Sequence, residues 1–173
     1  LASGFYQMPI DPNTDAYFRM VADAIGIRNR ARVMETVTLA HVTENIALDR
    51  IDTDVVRWLS LACGAADPAL KGGQFLKEMT EGVVSTEFRL VDFNPKALRL
   101  AKQKARAMGY SDDEYRTDLK DLLNFTSFGE TLTHPSGRPY HVAEALGFLE
   151  YWGREDDDRS RGGTLWGAEG FLQ

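Results

Sequence analysis

Cysteine is almost absent from this chain. Cys63 stands alone, so no disulfide can form within the chain, which suits a reducing compartment. Histidine is scarce too. His41, His134 and His141 are scattered along the sequence, and with a single cysteine they give no metal-ligand spacing, so no metal site is expected. No run approaches the roughly 18 apolar residues of a membrane span, and no signal peptide is visible. A cytoplasmic protein is the expectation. An excess of positive charge is also missing. The formal net charge is −6, which disfavours nucleic acid as the main partner, because such binders present a basic face. No internal repeat or low-complexity tract stands out. What remains is an ordinary globular composition of 173 residues, 43% hydrophobic and 27% charged, enough for a real core.

The chain divides by texture. Residues 1–52 read as an N-terminal helical extension, and 53–173 as an α/β domain. Residues 1–14 carry Pro9, Pro12 and Asn13 and read as an irregular lead-in. Apolar residues from Tyr17 to Ile27 recur at helical spacing, and Gly26 is expected to interrupt or end that helix. A second helical run, Ala31 to Leu48, carries Val33, Val37, Ala40, Ile46 and Ala47 as its apolar positions. Then "VVRWLSLACG" (Val55–Gly64) reads as a buried strand, short, apolar and bounded by small residues. "DPALKGGQFLKEMTEG" (Asp67–Gly82) reads as a helix with Pro68 in its first turn, weakened by Gly72-Gly73. "STEFRLVDFNP" (Ser85–Pro95) is a second strand and "KALRLAKQKARAMGY" (Lys96–Tyr110) an amphipathic helix ended by Gly109. "EYRTDL" (Glu114–Leu119) is a third strand, "HPSGRP" (His134–Pro139) a loop, and "YHVAEALGFLEYW" (Tyr140–Trp152) starts as a fourth strand. Strand, helix, strand, helix, strand implies a parallel sheet flanked by helices. Ligands of such sheets bind outside the carboxyl ends of the strands.

Two features fall at those ends. The first strand runs into Ala62-Cys63-Gly64-Ala65-Ala66. Small residues in a strand-to-helix turn let a ligand approach main-chain N–H groups; tight packing against a neighbouring helix is the competing explanation. The second strand ends in Asp92, followed by Phe93. A strand-end carboxylate there is placed to accept ribose hydroxyls; on its own it would be read as a helix cap. Taken together, in this order, the two favour a nucleoside ligand. A dinucleotide is disfavoured, because G-x-G-x-x-G is replaced by Ala62-x-Gly64-x-x-Asp67, which puts an acid beside the pyrophosphate.

"WLSLACGAADPAL", "FRLVDFNPKALRLAKQKA", "YRTDLKDLL" and "YHVAEALGFLEYW" together resemble the class I S-adenosylmethionine-dependent methyltransferases. The likeness spans Val55 to Trp152 and is most specific at Asp-x-Asn-Pro-x-Ala-Leu. It implies a Rossmann-like sheet and S-adenosyl-L-methionine as cofactor. By the resemblance, Ala62, Cys63, Gly64 and Ala65 match the loop around the methionine part. Asp92 matches the acid that binds the ribose hydroxyls and Phe93 the apolar neighbour of adenine. Asp118, with Leu119 beside it, matches the acid that contacts the adenine amino group, and Ala145 and Leu146 match the end of the fourth strand near the sulfonium.

The sequence departs from the family's pattern in several places. One loop glycine, Gly64, remains, with Ala62 and Ala66 in the other places. The acid often found before the loop is Ser60, and the fourth-strand acid is read as His141. The Pro-Pro-Tyr motif of the members that methylate nucleic-acid amines is missing. Four strands are counted before Trp152, with "RGGTLWGAEGF" (Arg161–Phe171) as a fifth, against seven in the family, so the sheet is expected to be incomplete at its C-terminal end. Weak catalytic candidates are Glu150, Tyr151 and His141, each with a packing or surface role as the alternative. His134 sits in a loop that could face a substrate or simply the solvent. Cys63 is read as a small packing residue. The expected activity is methyl transfer to a small-molecule or lipid-like acceptor. The alternative is a non-catalytic, methyltransferase-like module serving in an assembly. Nothing in the residues sets an oligomeric state.

Overall fold

Strands alternating with helices in the middle of the chain build a four-stranded, all-parallel sheet. The computed structural model describes residues 22–48, 51 and 54–146, with positions 12, 13, 16 and 20 as isolated points. Its elements run α1 (Ala22–Ala47), β1 (Val55–Leu61), α2 (Asp67–Met79), β2 (Ser85–Asp92), α3 (Pro95–Ala107), β3 (Tyr115–Leu119), α4 (Phe125–Leu132) and β4 (Val142–Glu144). The strand order is β3-β2-β1-β4. The order therefore reverses between β1 and β4, the kind of switch point at which ligands of parallel sheets bind.

Both faces of the sheet are covered, as an all-parallel sheet requires. Val56 and Trp58 of β1, with Phe88 and Leu90 of β2, pack on one face against Val42 of α1, Ala69, Leu70 and Leu76 of α2, and Ala101 and Ala105 of α3. On the other face Leu59, Leu61 and Val91 pack against Leu122 and Phe128, the latter from α4. Register pairs Leu61 with Val91, Asp92 with Leu119, and Ser60 with Glu144. The carboxyl ends of all four strands thus lie along one edge.

The glycines that weaken α2 in the sequence explain how closely it seats. Gly72 and Gly73 are buried. A Cβ at Gly72 would come within 2.8 Å of the Trp58 ring, and one at Gly73 would overlap Phe88. Helix propensity is given up for close approach to the sheet. The next helix is capped from the sequence itself. The Asn94 side chain accepts from the Lys96 N–H at 2.9 Å, with Pro95 in the first turn.

Three expectations change. Helix α1 runs unbroken through Gly26. A lone glycine costs about 1 kcal/mol against alanine, too little to stop a long helix. Its buried face is also different from the one expected. Thr38 and Val42 are buried, whereas Val33 and Val37 are each 58% exposed, because apolar residues occupy both sides of the helix and the periodicity is ambiguous. Helix α4 has no counterpart among the helices read from the sequence. It is short, it contains Gly129, and it is fixed by long-range contacts: Arg89 donates to the carbonyls of Thr131 and Thr133 at its C-terminus, at 2.9 and 2.8 Å. Among the described residues, no helix is long and apolar enough to cross a membrane. Residues 161–171, read as a fifth strand, lie outside the described residues.

Candidate functional site

The loop after β1 has an unusual backbone. Ala62 (φ 49°), Gly64 (φ 55°) and Ala66 (φ 56°) all adopt the left-handed conformation. Glycine does this freely, while each alanine costs about 1–2 kcal/mol. Strain of this kind persists where surrounding bonds over-determine the backbone, and here they do. The Cys63 N–H donates to the Val91 carbonyl at 3.0 Å and the Ala66 N–H to the Cys63 carbonyl at 2.7 Å. The Gly64 N–H donates to Asp92 Oδ2 at 2.9 Å. A Cβ added at Gly64 would meet nothing within 4 Å, so the loop is open on that side.

Asp92 is the hub of this edge. Its side chain is buried, at 5% exposure. Oδ2 holds the β1–α2 loop, Oδ1 accepts from the Asn94 N–H at 2.8 Å, and its carbonyl accepts from the Lys120 N–H beyond β3 at 3.1 Å. Each carboxylate oxygen keeps a second lone pair for a ligand hydroxyl. Beside it the surface is apolar and bare. Phe93 is 74% exposed and Leu119, the register partner of Asp92, is 60% exposed.

Of the residues expected here, Ala62, Cys63, Gly64, Ala65, Asp92, Phe93 and Leu119 meet along this edge. Asp118 does not join Asp92: it points to the opposite face of the sheet. There it pairs with Arg89 at 2.7 Å and Arg116 at 2.8 Å. Burial alone would raise its pKa, but the hydrogen bonds from the two guanidiniums outweigh that and lower it. Ala145 packs on the same cluster as Ala62, and Leu146 is half-buried beside it. Glu150 and Tyr151 lie outside the described residues.

His141 lies before β4, against the middle of β1. Its Nδ1 accepts from the Arg57 N–H at 3.0 Å, and the Arg57 guanidinium lies 2.7 Å from Nε2. Burial, then the charges of Arg57 and His134, push its pKa down, so the ring stays neutral. His134 is buried rather than facing solvent, with Nε2 at 3.2 Å from Glu87 and Nδ1 at 2.7 Å from Ser136 Oγ. Cys63 is held as a thiol. Burial, then the charges of Asp92 and Glu144, raise its pKa far above the ordinary value, which removes it as a nucleophile. Asp67 does not face the open loop, because it pairs with Lys104 of α3.

One site residue escaped the sequence reading. Glu144 closes β4, 4% exposed, and accepts from Ser60 Oγ at 2.7 Å. An acid thus stands on the fourth strand, three positions beyond His141. The signal was there: an acid inside an apolar strand, on the strand opposite Ser60. Among the described residues no group of three or more His, Cys, Asp or Glu side chains is placed to hold a metal ion. A groove of about 710 Å3 lies away from this edge, between α1 and α2, with Leu39, Thr43, Phe75 and Met79 in its lining. The strained loop and the strand-end carboxylates do not reach it. Comparison with protein-family models gives no match, and comparison with curated proteins gives none either.

Proposed function

We propose that this chain is a Rossmann-like, S-adenosyl-L-methionine-dependent methyltransferase acting on a small-molecule or lipid-like acceptor. One observation carries the reading: the open, left-handed loop at Gly64 is gripped by the strand-end carboxylate of Asp92. That pairing offers main-chain groups and hydroxyl acceptors together beside the strand-order reversal, the combination a nucleoside ligand needs. The exposed Phe93 and Leu119 support it, because they supply an apolar seat for a purine next to the ribose acceptor. The loop keeps one glycine, Gly64, of the three in a dinucleotide fingerprint, which speaks against a dinucleotide. The net charge of −6 and the absence of a Pro-Pro-Tyr motif favour a small acceptor over a nucleic acid.

Bound here, the cofactor would supply an activated methyl group on a sulfonium. The protein's part is binding, orientation and exclusion of water. Asp92 would take the ribose hydroxyls, Phe93 and Leu119 the base, and Ala62–Ala65 the chain beyond the ribose. Calorimetric titration with S-adenosylmethionine and S-adenosylhomocysteine, with NAD as control, tests this. An Asp92→Asn variant keeps the shape while weakening the acceptor. Micromolar binding of both sulfur ligands, no binding of NAD, and at least tenfold weaker binding in the variant are expected. A folded chain that binds neither sulfur ligand refutes the reading.

A further inference from the structure

We propose that the open edge of β3 takes up an acidic protein segment in extended conformation, added as a further strand beside α3. The inference is independent of the nucleoside reading above. β3 is the outermost strand of the order β3-β2-β1-β4, and among the described residues it pairs with β2 alone. Two bonds fix the direction of its main-chain groups. The Phe88 N–H donates to the Glu114 carbonyl at 2.8 Å, and the Lys120 N–H donates to the Asp92 carbonyl at 3.1 Å. Even-numbered residues along β3 therefore turn their N–H and C=O groups toward β2. Those of Tyr115, Thr117 and Leu119 turn outward. Such a row of donors and acceptors is a template for another strand.

A groove of about 390 Å3 lies beside this edge, lined by Lys102 and Arg106 of α3, by Asp112, and by Tyr115, Arg116 and Thr117. Three cations face one acid there, in a chain whose net charge is −6. The acid is already engaged. Asp112 accepts from Arg106 at 3.1 and 3.0 Å and from the Tyr115 hydroxyl at 2.6 Å. Arg116 gives its Nε to Asp118 while the side chain stays exposed. Lys102, whose charge reaches Asp112, makes no ion pair among the described residues. Tyr115 packs with Ala101 and Ala105 of α3, so Tyr115 and Thr117 share the α3 face. Side chains of an added strand alternate between faces. Every second one would enter this groove, where Lys102 and Arg106 suit a carboxylate.

The charges choose among occupants. A second copy paired edge to edge would bring Lys102 and Arg106 against their own equivalents, which is repulsive. A nucleic acid would use the cations but not the outward carbonyls. An extended acidic peptide answers both the main chain and the cations.

Fluorescence anisotropy of the full chain tests this with a labelled peptide of alternating valine and glutamate, its valine–lysine counterpart, and a labelled oligothymidylate. The variants are Thr117→Pro and Lys102→Glu. Proline at this position removes an outward N–H, leaves the β2 ladder intact and is tolerated on an edge strand. Should it nonetheless unfold the chain, the exposed Lys102→Glu decides alone. The glutamate peptide is expected to bind roughly tenfold tighter than the lysine peptide. Its affinity should fall about tenfold in Thr117→Pro and about threefold in Lys102→Glu, and should weaken as salt rises. Equal binding of the two peptides, or binding that survives both variants, overturns the proposal. So does a preference for the oligothymidylate, which would make the face a nucleic-acid site. A wild-type dimer in sedimentation that Thr117→Pro dissolves would overturn it in favour of a second copy. A folded chain that binds no probe would overturn it too, leaving the cations as guards of a bare edge.

Discussion

Replacing Gly73 with alanine sets helix propensity against packing. In an open helix the change gains about 1 kcal/mol. Here the added Cβ would overlap Phe88 Cζ and lie 2.9 Å from the Tyr110 hydroxyl and 3.1 Å from Thr86 Oγ1. Phe88 is 1% exposed and wedged between Trp58 and Tyr110, with ring centroids 5.9 and 5.3 Å away, so it has nowhere to retreat. Tyr110 is fixed by its 2.6 Å hydrogen bond to the Leu70 carbonyl. Either α2 lifts from the sheet or the aromatic cluster shifts. Overpacking costs about 1–3 kcal/mol, and losing the Tyr110 bond adds about 1 kcal/mol. The net is a destabilisation of about 1–3 kcal/mol. Urea unfolding followed by circular dichroism measures it, with Gly129→Ala on α4 as the control. A Cβ at Gly129 meets nothing within 4 Å, so the control gains about 0.5–1 kcal/mol. If Gly73→Ala moves the unfolding midpoint upward as the control does, the close seating of α2 is refuted.

Three further outcomes are expected. Ala62→Gly relieves a left-handed alanine (φ 49°); the relief of about 1–2 kcal/mol is partly offset by the freer unfolded chain, for a net change of about 0 to +1 kcal/mol in the same assay. Arg89→Met leaves the Asp118 carboxylate with the 60% exposed Arg116 alone and strips the carbonyls ending α4, costing about 3–5 kcal/mol; a loss under 1 kcal/mol would contradict this role. The pH dependence has opposite signs at two acids. Asp118 has a lowered folded pKa, so its stabilisation is present above its unfolded value of about 3.9 and is lost as pH falls through the folded value. Glu144 has a raised one, about 7, so its contribution is full below its unfolded value of about 4.3, declines as pH rises, and is flat above about 7. Glu144→Gln at pH 8 should therefore be more stable than the wild type, by on the order of 3 kcal/mol; unchanged stability would contradict a buried, strained acid there.

The parts of this fold that were legible in the sequence carry local signals. The strand tips at Gly64 and Asp92 were readable because small residues and Asn94-Pro95 punctuate them, and α3 because its stripe and cap are self-contained. The double glycine of α2 was seen but its purpose was not, since it depends on Trp58 and Phe88 in two different strands. The orientation of Asp118 depends on its alternation relative to Asp92 and on Arg89, a buried cation whose partners lie 29 to 51 residues away. Glu144 was passed over for a similar reason. Its partner Ser60 is 84 residues distant, and the strand register, not the spacing, unites them.

The central claim is that a nucleoside ligand sits at the Gly64–Asp92 edge. The most direct test is a two-dimensional amide NMR titration of the labelled chain with S-adenosylhomocysteine. The account requires the largest shifts at Cys63, Gly64, Ala65, Phe93 and Leu119, with Gly72 and Phe75 on the α1–α2 groove unmoved. Shifts concentrated at that groove, or saturation without any change at Gly64 and Phe93, would contradict it.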